Sequence, residues 1–141
     1  MARHDDLEDI RQLKARYFRM LDTKDWDGLA AVFTPDVKID LSGEGGGVTH
    51  SVEEFVPYAR SSLGDVVTVH HGHMPEISFT SETTATGIWA MEDRLEWPAG
   101  SPMVARHGFG HYHETYRRTP EGWRIASMTI TRLGRDNEMA P

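Results

Sequence analysis

Leu7, Ile10, Leu13, Tyr17 and Leu21 follow one another at intervals of three, three, four and four residues. That spacing is one face of an amphipathic helix and predicts α-helix from about Asp6 to Asp22. Thr23-Lys24-Asp25 reads as a short link. Asp25 suits the N-cap of a second helix containing Trp26, Leu29, Ala30 and Phe33, and Pro35 is expected to end it. Val37-Lys38-Ile39-Asp40-Leu41 alternates apolar and polar, the pattern of a strand. Ser42–Gly47 carries four glycines and is expected to be a mobile loop. Ser51, with Glu54 three residues on, forms a capping box for a third helix striped by Val52, Phe55, Val56 and Ala59.

From Val66 the apolar period changes to two. Candidate strands are Val66–His73, Glu76–Phe79, Thr84–Trp97, Arg106–Arg118 and Trp123–Leu133. Pro98–Pro102 and Thr119–Gly122 are turns, and Arg135–Pro141 is expected to be a frayed tail. Helices followed by long antiparallel strands make an α+β class. A long, small, mainly antiparallel sheet must curve, and three N-terminal helices closing it make a cone with an internal pocket.

Alternation sorts the strand side chains into faces. Thr68, His70, Gly72 and Met74 share one face, opposite Val69, His71 and His73. Trp89, Met91, Asp93 and Leu95 share another. Gly108, Gly110, Tyr112, Glu114 and Tyr116 oppose His107, Phe109, His111 and His113. Met128, Ile130 and Arg132 share the last. Parity does not say which face is interior, and a bulge inverts it; Gly87, Gly108 and Gly110 are candidate bulge or bend sites. Trp89, Met91, Tyr112, Tyr116 and Met128 are the expected substrate-binding wall. Asp93 on an apolar face needs a partner, and Arg132 is the cation that strand order brings nearest.

The composition narrows the chemistry. The 141 residues read as one domain spanning 1–141, large enough to enclose a small pocket. Fifteen basic against 22 acidic side chains leave a net charge of −7, which argues against a nucleic-acid partner. The absence of cysteine excludes disulfides, thiolate nucleophiles and Cys-type zinc sites. No apolar run approaches the ~18 residues of a membrane span. The first residues are polar rather than signal-like, so a cytoplasmic location is expected. Six of the eight histidines fall between His70 and His113. His71 with His73, and His111 with His113, suit a metal site by direction. No spacing signature accompanies them, however, and outward imidazoles on a sheet are ordinarily solvated, so no metal is assigned.

Ala15-Arg16-Tyr17-Phe18-Arg19-Met20-Leu21-Asp22-Thr23-Lys24-Asp25-Trp26-Asp27 resembles the first-helix signature of the SnoaL-like branch of the nuclear transport factor 2-like superfamily. Val69–Trp97 is similar to the central stretch of its bile acid 7α-dehydratases, and Gly122–Leu133 to the family's last strand. Scytalone dehydratases are more distant relatives by the Asp-x-Lys-Asp-Trp pattern. The Ser42–Gly47 loop and the His107–His113 segment depart from the family. The resemblance implies an α+β cone with a deep apolar cavity, and catalytic roles for Tyr17, Asp22, His70, Asp93 and Arg132.

The expected activity is a cofactor-independent lyase. His70, held by Asp22, would remove a proton activated by a carbonyl, and Tyr17 would donate to the enolate oxygen. Asp93 and Arg132 would position the substrate or assist the loss of water. The substrate would be an apolar, hydroxylated polycyclic or steroid-like ketone. An isomerase or a cyclase would use the same parts. A non-catalytic assembly subunit, with the cone filled by Trp89 and Met91, and a hydrophobic-ligand-binding module are the rivals outside catalysis. The resemblance also implies a homo-oligomer, dimer or trimer.

Overall fold

The computed structural model describes residues 2–141, with side chains from Asp5 onward. Its elements are α1 (Ala2–Asp22), α2 (Trp26–Ala30), β1 (Phe33–Asp40), β2 (Val48–Thr49), α3 (Val52–Leu63), β3 (Val67–Phe79), β4 (Thr84–Glu96), β5 (Met103–Thr119) and β6 (Gly122–Met139). The strands form one open sheet in the order β2-β1-β6-β5-β4-β3. Only β1 and β6 run parallel; the other neighbours are antiparallel. The result is the α+β architecture that the change of period predicts, with the helices packed on one face of the sheet.

The face of α1 predicted to be buried is buried: Ile10, Leu13, Tyr17 and Leu21 are at most 3% exposed. The helix stops in a Schellman motif. The Lys24 amide donates to the Leu21 carbonyl and the Asp25 amide to that of Met20, with Lys24 at a left-handed φ of 61°. That termination makes Asp22 the last helical residue and delivers its carboxylate to β3. Asp25 then caps α2 by accepting from the Gly28 amide, and Ser51 caps α3 by accepting from the Glu54 amide.

Strand parity resolves into an inner and an outer face. Trp89, Met91, Asp93 and Leu95 of β4, Tyr112, Glu114 and Tyr116 of β5, and Met128 and Ile130 of β6 all point inward and are buried. Several local expectations fail for identifiable reasons. Phe33 and Pro35 belong to β1 rather than to the second helix or its end. Pro35 lies where the pairing of β1 with β6 shifts register, a position that tolerates a residue without an N–H. Val66–His73 and Glu76–Phe79 are one strand, β3, with a register shift between Gly72 and Pro75. That bulge turns Met74 away from the His70 face, and it is 88% exposed. Gly87 and Gly108 sit in unbroken ladders; of the three flagged glycines only Gly110 adjoins a shift.

Two segments expected to be loose are structured. Within Ser42–Gly47, Ser42–Glu44 forms a 3-10 turn. The Asp40 carboxylate accepts from the Ser42 amide and hydroxyl, and the Leu41 carbonyl accepts from the Glu44 and Gly46 amides. Arg135–Pro141 is not a frayed tail, because β6 runs to Met139 and stays paired with β5, Met139 opposite Met103.

Candidate active site

A cavity of about 270 Å³ lies between the inner sheet face, α1, α3 and the 3-10 turn. Tyr17 and Leu21 of α1, Phe55 and Tyr58 of α3, and His70, Asp93, Tyr112, Met128, Ile130 and Arg132 of the sheet line it. Most of the wall is apolar, and the polar groups converge from four different strands.

His70 pairs with Asp22 at the end of α1. His70 Nδ1 lies 2.7 Å from Asp22 Oδ1, and the His70 amide donates to Asp22 Oδ2 at 2.9 Å. The Thr68 hydroxyl donates to Asp22 Oδ1 and in turn accepts from Lys24 Nζ, each at 2.9 Å. An ionised carboxylate only accepts, so the proton of a neutral His70 sits on Nδ1 and the Nε2 lone pair is free. Nε2 lies 3.9 Å from Asp93 Oδ2, on the cavity side. Partial burial pushes the Asp22 carboxyl up, but the hydrogen bonds from the His70 side chain and backbone and from Thr68 outweigh it. Its pKa is held below the usual carboxylate range. Asp22 therefore stays charged and fixes the imidazole tautomer.

Asp93 and Arg132 form the expected pair in bidentate geometry, Nη1 to Oδ1 at 3.1 Å and Nη2 to Oδ2 at 2.8 Å. Arg132 Nε also donates to Glu44 Oε1 at 2.5 Å. Burial works against the Arg132 cation, but Asp93 and Glu44 more than offset it and raise its pKa. Gly108 makes this arrangement possible: a Cβ there would lie 2.7 Å from Arg132 Nη1 and 2.8 Å from Asp93 Oδ1.

Tyr17 lines the cavity and is 2% exposed. Burial raises its pKa, so it stays a phenol, a donor rather than a base. The neighbouring Tyr112 hydroxyl is buried without a well-formed hydrogen bond and is likewise raised by burial. Behind both rings lies a buried ion pair that the sequence reading missed. Lys14 Nζ sits 2.6 Å from Glu114 Oε2, 3.9 Å from the Tyr17 ring centroid and 3.5 Å from that of Tyr112. Glu114 Oε1 accepts from the Tyr116 hydroxyl at 2.6 Å, which accepts from Trp89 Nε1 at 2.8 Å.

That network corrects the expected substrate wall. Tyr112 and Met128 line the cavity; Trp89, Met91 and Tyr116 do not. Trp89 and Tyr116 are committed to the Lys14–Glu114 network, and the Met91 sulfur lies 3.5 Å from Arg132 Nη1. The signal for Lys14 was present, since it is four residues after Ile10 on the apolar stripe. Glu44 lies in a glycine-rich segment whose spacing carries no such signal. The other sheet histidines, His71, His73, His107, His111 and His113, face outward: His73 and His107 flank Glu92 at 3.3 and 3.4 Å, and His113 Nε2 meets Thr131 Oγ1 at 3.0 Å. Among the described residues, no three His, Asp or Glu side chains converge as metal ligands. No helix among those residues is long and apolar enough to cross a membrane.

Residues 2–129 match the model of the SnoaL-like domain family. The "Probable cyclase FGR4" of Gibberella zeae is 23% identical over 133 residues, which cover 88% of this chain and 89% of that protein. A scytalone dehydratase-like protein from Novosphingobium aromaticivorans superposes with a TM-score of 0.87 at 17% identity, over 99% of this chain and 92% of that one. A hexachlorocyclohexane dehydrochlorinase, LinA type 2, superposes with a TM-score of 0.86 at 18% identity, over 99% and 96% of the two chains. At these identities the superpositions show a shared fold.

Proposed function

The chain belongs to the SnoaL-like domain family, and from that premise we propose that it is a lyase removing water from a hydroxylated cyclic ketone, using its own side chains as acid and base. The observation that carries the proposal is the His70–Asp22 pair. Its 2.7 Å contact orients the imidazole and leaves Nε2 to face an apolar cavity as a proton acceptor. In the reaction, Nε2 takes the proton from the carbon next to the carbonyl. The electrons pass to the carbonyl oxygen, where the Tyr17 phenol donates a hydrogen bond to the developing enolate. As the enolate collapses, the carbon–oxygen bond to the neighbouring hydroxyl breaks. That oxygen takes the proton from the His70 imidazolium and leaves as water, restoring the base. Asp93, held by Arg132, receives the hydrogen bond of the leaving hydroxyl and orients it.

The cavity size refines the substrate. About 270 Å³ lies just below the ~300–1,000 Å³ of most ligand pockets. A compact fused-ring ketone fits inside, and a larger polycycle would extend through the mouth. A cyclase is the second reading, favoured by the match to FGR4, and starts from the same enolate. The assembly-subunit alternative needs the cone filled by Trp89 and Met91, whose side chains are engaged elsewhere. The test is proton exchange into a β-hydroxy ketone such as 4-hydroxy-2-tetralone in heavy water, followed by NMR, with mass spectrometry for loss of water. His70→Ala should lower both rates by about 10²- to 10⁴-fold, the usual worth of a general base. Unchanged exchange in a folded variant would refute the mechanism, and exchange without loss of water would favour the cyclase.

A further inference from the structure

The inner face of the sheet carries a second feature next to the cavity, which the proton-transfer chemistry does not use. β5 and β6 pair with Gly110 opposite Arg132, Phe109 opposite Gly134, and Gly108 opposite Arg135. Leu133 has no partner in that ladder and is 78% exposed. This bulge resets the alternation of β6. Without it Arg135 would face outward; with it, Arg135 falls on the same inner face as Arg132, opposite Gly108, and Asn137 falls opposite Arg106. The intervening acids, Asp136 and Glu138, oppose His107 and Ala105 on the other face. The bulge therefore separates the charges along this stretch, with Arg135 inside and the carboxylates outside.

Three arginines meet at this end of the cavity, and only one is neutralised. Arg132 engages both nearby carboxylates, Asp93 and Glu44. Arg106 lines the cavity, lies 5.6 Å from the Trp97 ring centroid, and donates from Nε to Asn137 Oδ1 at 3.0 Å. Among the described residues neither Arg106 nor Arg135 has a carboxylate within ion-pair distance, and the Arg135 Nε is buried with no hydrogen-bond partner. Burial first, then repulsion from Arg135 and Arg132, lowers the Arg106 pKa, against a weaker opposing pull from Asp93 and Glu44. Three guanidiniums against two carboxylates leave this end of the cavity with an excess of positive charge, in a chain with a net charge of −7. An anion supplies the missing partner, and the planar guanidinium of Arg106, over the Trp97 ring, presents a fork that fits a carboxylate or a phosphate.

We propose that Arg106, backed by Arg135, is the seat for an anionic substituent of the substrate, with the apolar body in the cavity and the charged arm at its mouth. This deepens the lyase reading by naming a substrate class: a ring ketone that carries an acidic arm. The arm also fixes the orientation of the ring, since an anion on Arg106 leaves only one end of the molecule to approach His70.

Binding, measured by titration calorimetry without turnover, tests the seat. The probes are 2-naphthaleneacetic acid, its primary amide and 2-naphthyl phosphate. The acid should bind about 10- to 100-fold more tightly than the amide, the range for hydrogen bonds to a charged group. Arg106→Gln should abolish that preference, and Arg135→Gln should reduce it. The preference should also weaken as salt rises. The phosphate arm identifies the anion: phosphate binding more tightly than the acid assigns the seat to a phosphorylated arm, and the reverse assigns it to a carboxylate. Equal binding of acid and amide, no binding of either anion, or a preference that survives Arg106→Gln would overturn the proposal. A His70→Ala variant that keeps the acid preference but loses proton exchange supports both readings. One that keeps both removes the mechanism and leaves the seat standing.

Discussion

The Lys14–Glu114 pair gives the sharpest physical test of the architecture behind the cavity. Both side chains are at most 1% exposed and their charged atoms are 2.6 Å apart. Lys14→Met replaces the ammonium with an apolar group of similar length and leaves the Glu114 carboxylate buried with the Tyr116 hydroxyl as its remaining donor. Breaking a buried pair in this way costs about 3–5 kcal/mol, roughly 10–20 °C in Tm for a domain of this size. Adding Glu114→Gln removes the stranded charge, so the double variant should recover most of the loss. The pH dependence is independent of that cycle. Burial pulls the Lys14 pKa down, against the opposing pull of Glu114, to about 8, while the unfolded chain holds it near ~10.4. Between those values the unfolded state binds more protons, so stability rises with pH. The advantage of the wild type over Lys14→Met should widen by about 3 kcal/mol from pH 8 to 10.5. Urea denaturation of the four proteins across that range measures both quantities. A single variant as stable as the wild type would refute the cost of stranding Glu114, and an advantage that narrows with rising pH would show that the pull of Glu114 outweighs burial at Lys14.

Other expectations follow from the same geometry. Asp22→Asn keeps the shape but lets His70 take the wrong tautomer; kcat should fall by as much as ~10⁴-fold, with little change in substrate affinity, as steady-state kinetics would show. Because the Asp22 carboxyl is held low by its hydrogen bonds, its contribution to stability is complete above the ordinary carboxylate pKa of ~3.9. It is lost as the pH falls through the lower folded value, so acid titration should show a transition in wild type that Asp22→Asn lacks. Gly108→Ala pushes a methyl against the Arg132–Asp93 pair and should impair turnover more than Tm. In Gly110→Ala the new Cβ would lie 1.9 Å from the Thr131 carbonyl oxygen, a backbone clash that should lower Tm strongly.

What the sequence disclosed, and what it concealed, divides along one physical line: periodicity survives where the backbone is regular and fails where it is interrupted. The stripe Ile10, Leu13, Tyr17, Leu21 predicts a buried face, and the alternations Trp89–Leu95 and Gly108–Tyr116 predict shared faces, all of which the structure turns inward. The same alternation put His70 and Asp93 on the faces that line the cavity. Two bulges broke the rule. The one between Gly72 and Pro75 sends Met74 to solvent, and the one at Leu133 brings Arg135 inward. Neither is marked by a glycine at the residue displaced, so parity counted from the ends of the strand gives the wrong face. Lys14 was missed in another way: its place on the apolar stripe marks it for burial, but its partner Glu114 lies one hundred positions on and only the fold brings the two together. Glu44 depends likewise on the 3-10 turn that sets it against Arg132. The catalytic candidates came from the family resemblance together with strand parity; Tyr17, His70, Asp93 and Arg132 lie in the cavity wall, with Asp22 against His70. The groups that set their electrostatics, and the arginines at the cavity mouth, are placed by register shifts and long-range pairing, which one-dimensional spacing does not encode. The bulge at Leu133 therefore sets the face of Arg135 through long-range pairing rather than through local spacing. Deleting Leu133 removes the extra residue but leaves Gly134 opposite Phe109 and Arg135 opposite Gly108, so Arg135 stays inward. The deletion variant should keep the preference for acid over amide probes in titration calorimetry, with the His70–Asp22 pair in place on β3 and α1. A deletion that abolishes or reverses that preference would refute this register as the reason Arg135 faces the cavity.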